Sequence, residues 1–186
     1  MNKQPDLKRA PLSAVRAGGL AVLSLAILCS PARAGFDEQF DDQEKPWQEI
    51  TVLLPAAPVQ ENLLPFYVSP TATHTYSVDG KSISVGEDGV VRYTLVAQSA
   101  GGAQNISYEG IRCQTREMKS YAFGHKDGKW SRSRRDQWQR IVGTGANRPQ
   151  AALQHDYFCR GGLVSGKAED IAKRLREQQA YSDHAE

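Results

Sequence analysis

Six cations and two indoles fall within residues 126–140: Lys126, Lys129, Arg132, Arg134, Arg135 and Arg140, interleaved with Trp130 and Trp138. Guanidinium forks match the oxygens of phosphate and carboxylate, and indole rings supply stacking area, so the mixture suits an anion. Lys126, Lys129, Trp130, Arg132, Arg134 and Arg135 form the candidate anion-binding patch. A competing arrangement makes both tryptophans core anchors, since tryptophan is highly buried on average, and leaves the charges on a solvated face.

Other titratable groups are scattered. Arg92, Glu109 and Arg112 stand among strand-forming residues. Either they make a buried functional pair, or they lie outward as cross-strand charges with little net effect, and the outward arrangement is the expectation. His74, His125 and His155 fall in folded sequence and His184 in the terminal stretch, without the H-x-x-x-H or H-E-x-x-H spacing of a metal site. His155-Asp156 has the residue types of an acid/base pair, although neighbours on a strand point opposite ways. Nucleophile-elbow, P-loop and dinucleotide fingerprints are missing, so no catalytic, cofactor-binding or metal residue is assigned and no cofactor is expected.

What positions these residues begins with a leader. Lys3, Lys8, Arg9 and Arg16 give a basic start, residues 17–30 an apolar stretch, and Ala32-Arg33-Ala34 the small-x-small pattern read by signal peptidase. The apolar stretch falls short of the about 20 residues that a permanent span requires. Cleavage after Ala34 and soluble export to the periplasm are therefore expected, with no transmembrane segment afterwards. A lipid anchor at Cys29 is disfavoured, because Ala26-Ile27-Leu28 precedes it in place of a small residue.

Export gives the cysteines a meaning. With Cys29 in the leader, Cys113 and Cys159 remain, and two thiols in one small oxidised domain read as a disulfide. Zinc would demand more ligands. The chain has 23 basic and 21 acidic residues, and without the five and one in the leader the balance is 18 against 20. Nucleic acid is disfavoured as a partner by that balance. In an envelope, lipid headgroups, lipopolysaccharide phosphates, peptidoglycan carboxylates or an acidic partner protein are the anions available to the patch.

The remainder is one domain's worth of chain. Residues 35–45 are acidic and short of aliphatics, as a mobile arm would be. Tyr76, Val78, Ile83 and Val85 flank Asp79-Gly80, a hairpin-turn dipeptide, and Asp88-Gly89 is a second turn before the alternating Val91, Tyr93 and Leu95. Ile106, Tyr108 and Ile111, then residues 121–123, continue the bias toward strands, so an antiparallel meander is expected. After Trp130 helices are expected at 135–142, within 151–158, and after Ser165 as N-cap, where Ala168, Ile171, Ala172 and Leu175 keep helical spacing.

The runs DGVVRYTLV (88–96), NISYEGIRC (105–113), YAFG (121–124), DGKWSRSRRDQW (127–138) and DYFC (156–159) resemble those of the cryptic-neisserial-protein-like family of exported bacterial proteins. The resemblance runs from Trp47 to about Leu175. It implies a small Gram-negative envelope protein and, because the family has no established activity, brings no functional residue with it.

The expected fold is a single α+β domain over residues 46–178, an antiparallel sheet packed by C-terminal helices and fastened by Cys113 and Cys159, with a tail at 179–186. The expected function is a non-enzymatic binding or accessory role in the envelope. The alternative is a periplasmic hydrolase built from scattered residues such as His125, His155 or Asp156.

Overall fold

The computed structural model describes residues 46–181. The leader with Cys29, the acidic arm and His184 lie outside the described residues.

Among the described residues, seven strands make one antiparallel sheet. Strands β1 (Leu63–Phe66), β2 (His74–Val85), β3 (Val90–Ser99), β4 (Gln104–Arg112), β5 (Glu117–Gly124) and β6 (Trp130–Arg132) pair in chain order, and β7 (Gln139–Arg140) pairs with the start of β5. This is the meander that the alternating apolar pattern predicts. The helical part is smaller than expected. It consists of α1 (Arg148–Ala152), which widens into a π-helical stretch (Leu153–Phe158), and of α2 (Ala168–Arg176), with a short β8–β9 ladder (Cys159–Arg160, Leu163–Val164) between them. None of the described helices is long and apolar enough to cross a membrane.

The core sits on one face of the sheet. Val91, Tyr93 and Leu95 of β3 and Ile111 of β4 bury against Leu153, Phe158, Ile171 and Leu175, with the Tyr93 and Phe158 rings edge-on at 5.0 Å. Helical spacing sends Ile171 and Leu175 of α2 to the same side, so the helix docks by burying that stripe. Cys113, just past β4, and Cys159 form the expected disulfide, Cα atoms 5.5 Å apart, which ties the sheet to the π-helical stretch. Tyr181, within the stretch expected as a tail, donates its N–H to the Asp156 carbonyl at 2.8 Å, and the Arg174 guanidinium stacks 4.5 Å from its ring.

The opposite face is covered too, by an extended strap over residues 46–58. Val52 and Leu54 of the strap pack with Tyr108, Tyr121, Ala122 and Trp130, and the Trp130 indole donates to the Pro55 carbonyl at 2.8 Å. Arg92, expected outward, and Thr94, which alternates with the core residues of β3, are therefore buried, and β3 is sealed on both faces from Val90 to Val96.

Three local expectations are corrected. Asp79-Gly80 is no turn: β2 runs straight through it with a register shift between Asp79 and Ser84. The Asp79 carboxylate accepts the Lys81 N–H at 3.0 Å and the Asp79 carbonyl accepts the Ser82 hydroxyl at 2.7 Å, so local hydrogen bonds make a bulge where a reversal was expected. Gly80 serves close approach, since a Cβ there would lie 2.8 Å from Leu64 Cδ1 on β1. The Asp88-Gly89 turn does form, with the Gly89 N–H on the Gly86 carbonyl at 3.0 Å and φ of 72°.

No helix forms at 135–142. Gln139 and Arg140 pair with Met118 and Glu117, the Ile141 N–H donates to the Arg116 carbonyl at 2.9 Å, and Trp138 packs edge-on against Trp47 at 5.9 Å. These tertiary contacts hold the segment extended against its local helical bias. Ser165 is not the N-cap of α2: its hydroxyl meets the Tyr157 and Phe158 carbonyls at 3.0 and 2.9 Å, and the helix starts at Ala168, where Asp170 Oδ2 accepts the Lys167 N–H at 2.9 Å.

Candidate functional site

A cleft of about 890 Å³ opens on the core-bearing face of the sheet, between β5–β6 and the segment carrying β7 and the start of α1. The meander brings β5 and β6 side by side, and the pairing of β7 with β5 folds residues 139–150 over them. Met118, Phe123 and Val142 give the cleft an apolar side, with Phe123 and Val142 exposed. Its size is that of a small-molecule site.

Glu109 forms the floor. Register pairs it with Tyr93 on β3, so both side chains leave the same face. Its Oε2 accepts the Tyr93 hydroxyl and the Gln150 amide, each at 2.9 Å, and its Oε1 accepts the Ser107 hydroxyl at 2.7 Å. No described cation pairs with it. Burial pushes the Glu109 carboxyl above its usual range, against three donors that favour the anion. Burial, with the carboxylate beside it, also pushes the Tyr93 phenol well above its ordinary value.

Next to this floor, Gln150 and Asn147 line the cleft, and the side-chain oxygens of both are buried without a donor. Gln150 spends its Nε2 on Glu109, and Asn147 donates its Nδ2 to the Arg140 carbonyl at 3.2 Å.

The sequence-defined patch is split by the geometry of the β5–β6 hairpin. Arg132, Arg134 and Arg135 line the cleft and make no ion pair with any described carboxylate. Lys126 and Trp130 line a separate depression of about 510 Å³ beside the strap. Lys129 lines neither and pairs with Asp127 at 3.3 Å in an open hairpin turn. Trp130 is half-buried as an anchor for the strap. His125 lines both hollows, its Nε2 bonded to the Ser131 hydroxyl at 2.5 Å.

The other flagged charges go elsewhere. Arg92 and Glu109, expected outward, are 3% and 4% exposed, and they leave opposite faces of the sheet, each with its own partners, although the Arg92 Nε–H is buried without an acceptor. Arg92 meets Asp88 and lies 3.8 Å from Glu49 of the strap, which also accepts Lys119 at 2.8 Å and the Tyr121 hydroxyl at 2.6 Å. Arg112 stacks 3.6 Å from the Trp47 ring.

His155 and Asp156 do touch, Nδ1 to Oδ1 at 2.7 Å, because they lie on the π-helical stretch and not on a strand. They line no part of the cleft that holds His125, so the scattered set is not brought together. Among the described residues no three His, Cys, Asp or Glu groups converge as a metal site would need.

Sequence reasoning flagged Glu109 but missed its role, and missed Gln150, Asn147 and Ser131 altogether. A lone carboxylate amid Tyr108, Ile111 and Gly110 was the available signal. Gln150 reaches it from 41 residues away, which no local pattern encodes.

No solved structure matches this chain. It is 32% identical over 113 residues to Cryptic neisserial protein 1 of Neisseria gonorrhoeae, an alignment covering 54% of this chain and 55% of that protein. The chain thus spans about half the length of the curated relative it matches. The profile of the CNP1-like family matches residues 42–176, taking in Glu109 and the rest of the cleft floor, its arginines and the disulfide, and the chain belongs to that family.

Proposed function

We propose that this protein is an exported, non-enzymatic binding or accessory protein of the cell envelope, and that its cleft holds a small molecule bearing an anionic group. The expected organisation goes with that reading: a leader over 1–34, an arm over 35–45, one α+β domain over 46–178 and a tail beyond it. The disulfide supports residence in an oxidising compartment.

One observation carries the binding role. Arg132, Arg134 and Arg135 line one concavity and none is ion-paired with a described carboxylate, and the same walls offer exposed apolar surface at Phe123 and Val142. Uncompensated guanidinium groups around a partly apolar hollow hold an anion with its organic body attached. Arg132 also borders the hollow beneath the strap, whereas Arg134 and Arg135 line the cleft and not that hollow.

The test is charge reversal at these two exposed positions. Arg134→Glu with Arg135→Glu is expected to leave the unfolding midpoint unchanged and to lower retention on an immobilised envelope extract at least fivefold. Unchanged retention would refute the reading.

A further inference from the structure

The arginines account for one end of the cleft, and its floor has the opposite appetite. Glu109 presents a carboxyl group, and Gln150 and Asn147 each hold a buried carbonyl oxygen that accepts nothing from any described donor. Gln150 is 6% exposed, so water does not freely serve that oxygen. A buried acceptor left without a donor is destabilising, and two in one wall are seldom kept without a use. The floor is therefore rich in acceptors and short of donors, while the mouth is rich in cationic donors and short of acceptors.

We infer that the ligand of this cleft is a zwitterion, its phosphate or carboxylate held by Arg134 and Arg135 and its primary ammonium donated to Gln150, Asn147 and Glu109 on the floor. This deepens the proposed binding role and rests on it. An ammonium carries three N–H donors, one for each of these three groups, and because both orphaned oxygens lie beneath the cleft surface it engages them by a turn of the two amide side chains toward it. Glu109 in its anionic form adds a countercharge, and the approach of a cation favours that form. The facing groups are the Tyr93 phenol from β3, the Ser107 hydroxyl from β4 and the Gln150 amide from α1, and no described cation competes for the carboxylate. Arg92, the nearest charge on β3, leaves the other face.

Two sources carry this chemistry: a phosphoethanolamine headgroup and a short peptide with free ends. Both unite a primary ammonium with an anion, and the apolar wall of Met118, Phe123 and Val142 accommodates the rest of either molecule.

Calorimetric titration of the full chain with four probes tests the inference: phosphoethanolamine, phosphocholine, the dipeptide alanyl-phenylalanine, and its N,N,N-trimethyl derivative. Methylation keeps both charges and removes every N–H donor. At least one primary amine is expected to bind ten or more times as tightly as its methylated counterpart, since a site built around hydrogen bonds rejects an analogue without them. Which pair responds identifies the source. Asn147→Leu, at a half-buried site, is expected to reduce that preference at least threefold while Arg134→Glu weakens all binding probes alike. Equal binding of methylated and unmethylated probes would overturn the primary ammonium and its N–H donation to the floor while leaving the anion site standing. Binding of none of the four would overturn both.

Discussion

Arg92 and Asp88 face each other in a two-point pairing, Nη1 to Oδ1 at 3.1 Å and Nη2 to Oδ2 at 2.5 Å, with the two side chains only 4% and 1% exposed. Asp88 serves three masters: the guanidinium, the Ile50 N–H of the strap at 3.1 Å and the Val90 N–H of its own turn at 3.3 Å. Its backbone carbonyl also accepts the Trp47 indole at 2.8 Å. A turn legible from Asp88-Gly89 thus doubles as the fastening for a segment some forty residues upstream. Burial opposes ionisation of Asp88, but the donors from Arg92, Ile50 and Val90 outweigh it and hold the carboxyl below its usual range.

Asp88→Ala is expected to lower unfolding stability by about 3–5 kcal/mol, because it takes from a buried guanidinium both of its short hydrogen bonds and leaves it only the Glu49 carboxylate, 3.8 Å away. Removing both charges, as Asp88→Leu with Arg92→Met, is expected to recover more than half of that loss. Urea unfolding of the three proteins checks both statements. A single variant within about 1 kcal/mol of the parent would mean that the pair is not sealed from water.

Glu109 gives the opposite dependence on pH. Its carboxyl is raised by burial, so the stability it allows is whole below the unfolded-chain value of about 4.3 and is lost as pH rises through the folded value. Relative to Glu109→Gln, the parent is expected to lose up to about 1.4 kcal/mol per pH unit within that window and to level off above it. Asp88 acts on the other side: its contribution is present above the usual aspartate value and is lost as pH falls through its lower folded one. Urea midpoints at a series of pH values for both proteins separate the two. A pH-independent difference between parent and Glu109→Gln would show that Glu109 titrates normally.

The bond between Cys113 and Cys159 spans 46 residues of sequence. On the chain-entropy account a crosslink of this span contributes about 4 kcal/mol. Cys113→Ser with Cys159→Ser is expected to lower the thermal midpoint by about 8–16 °C, at about 2–4 °C per kcal/mol for a domain of this size. The parent treated with reductant is expected to match the double variant. A parent whose melting ignores reductant would contradict the pairing.

What the sequence made readable was whatever depends on near neighbours. Alternation at Val91, Tyr93 and Leu95 named the core face, the Asp88-Gly89 turn formed where its glycine permits positive φ, and Ile171 and Leu175 marked the buried stripe of α2. Covering of the second face was hidden, because the strap that buries Arg92 comes from beyond the sheet and shows only as Trp47, Val52 and Leu54 among prolines. Residues 135–142 looked helical by local preference, yet Trp138 is caught against Trp47 and the backbone is claimed by β5. Of the candidate patch, three arginines reached the cleft, while Lys126, Lys129 and Trp130 were turned elsewhere by the pleat and the hairpin. Of the floor only the lone carboxylate of Glu109 stood out in the sequence, and a glutamine from α1 meeting that glutamate from β4 is a fact of tertiary folding.

Apart from Glu109, every residue lining the cleft lies between Cys113 and Cys159 in the chain. Its walls are in effect a macrocycle closed by sulfur and laced to β4 along the length of β5. Loosening of the roof over β5 and β6 can widen the mouth, but the covalent perimeter bounds how far the arginines can drift from the floor, so the hollow's dimensions are inherited from sulfur chemistry as much as from packing.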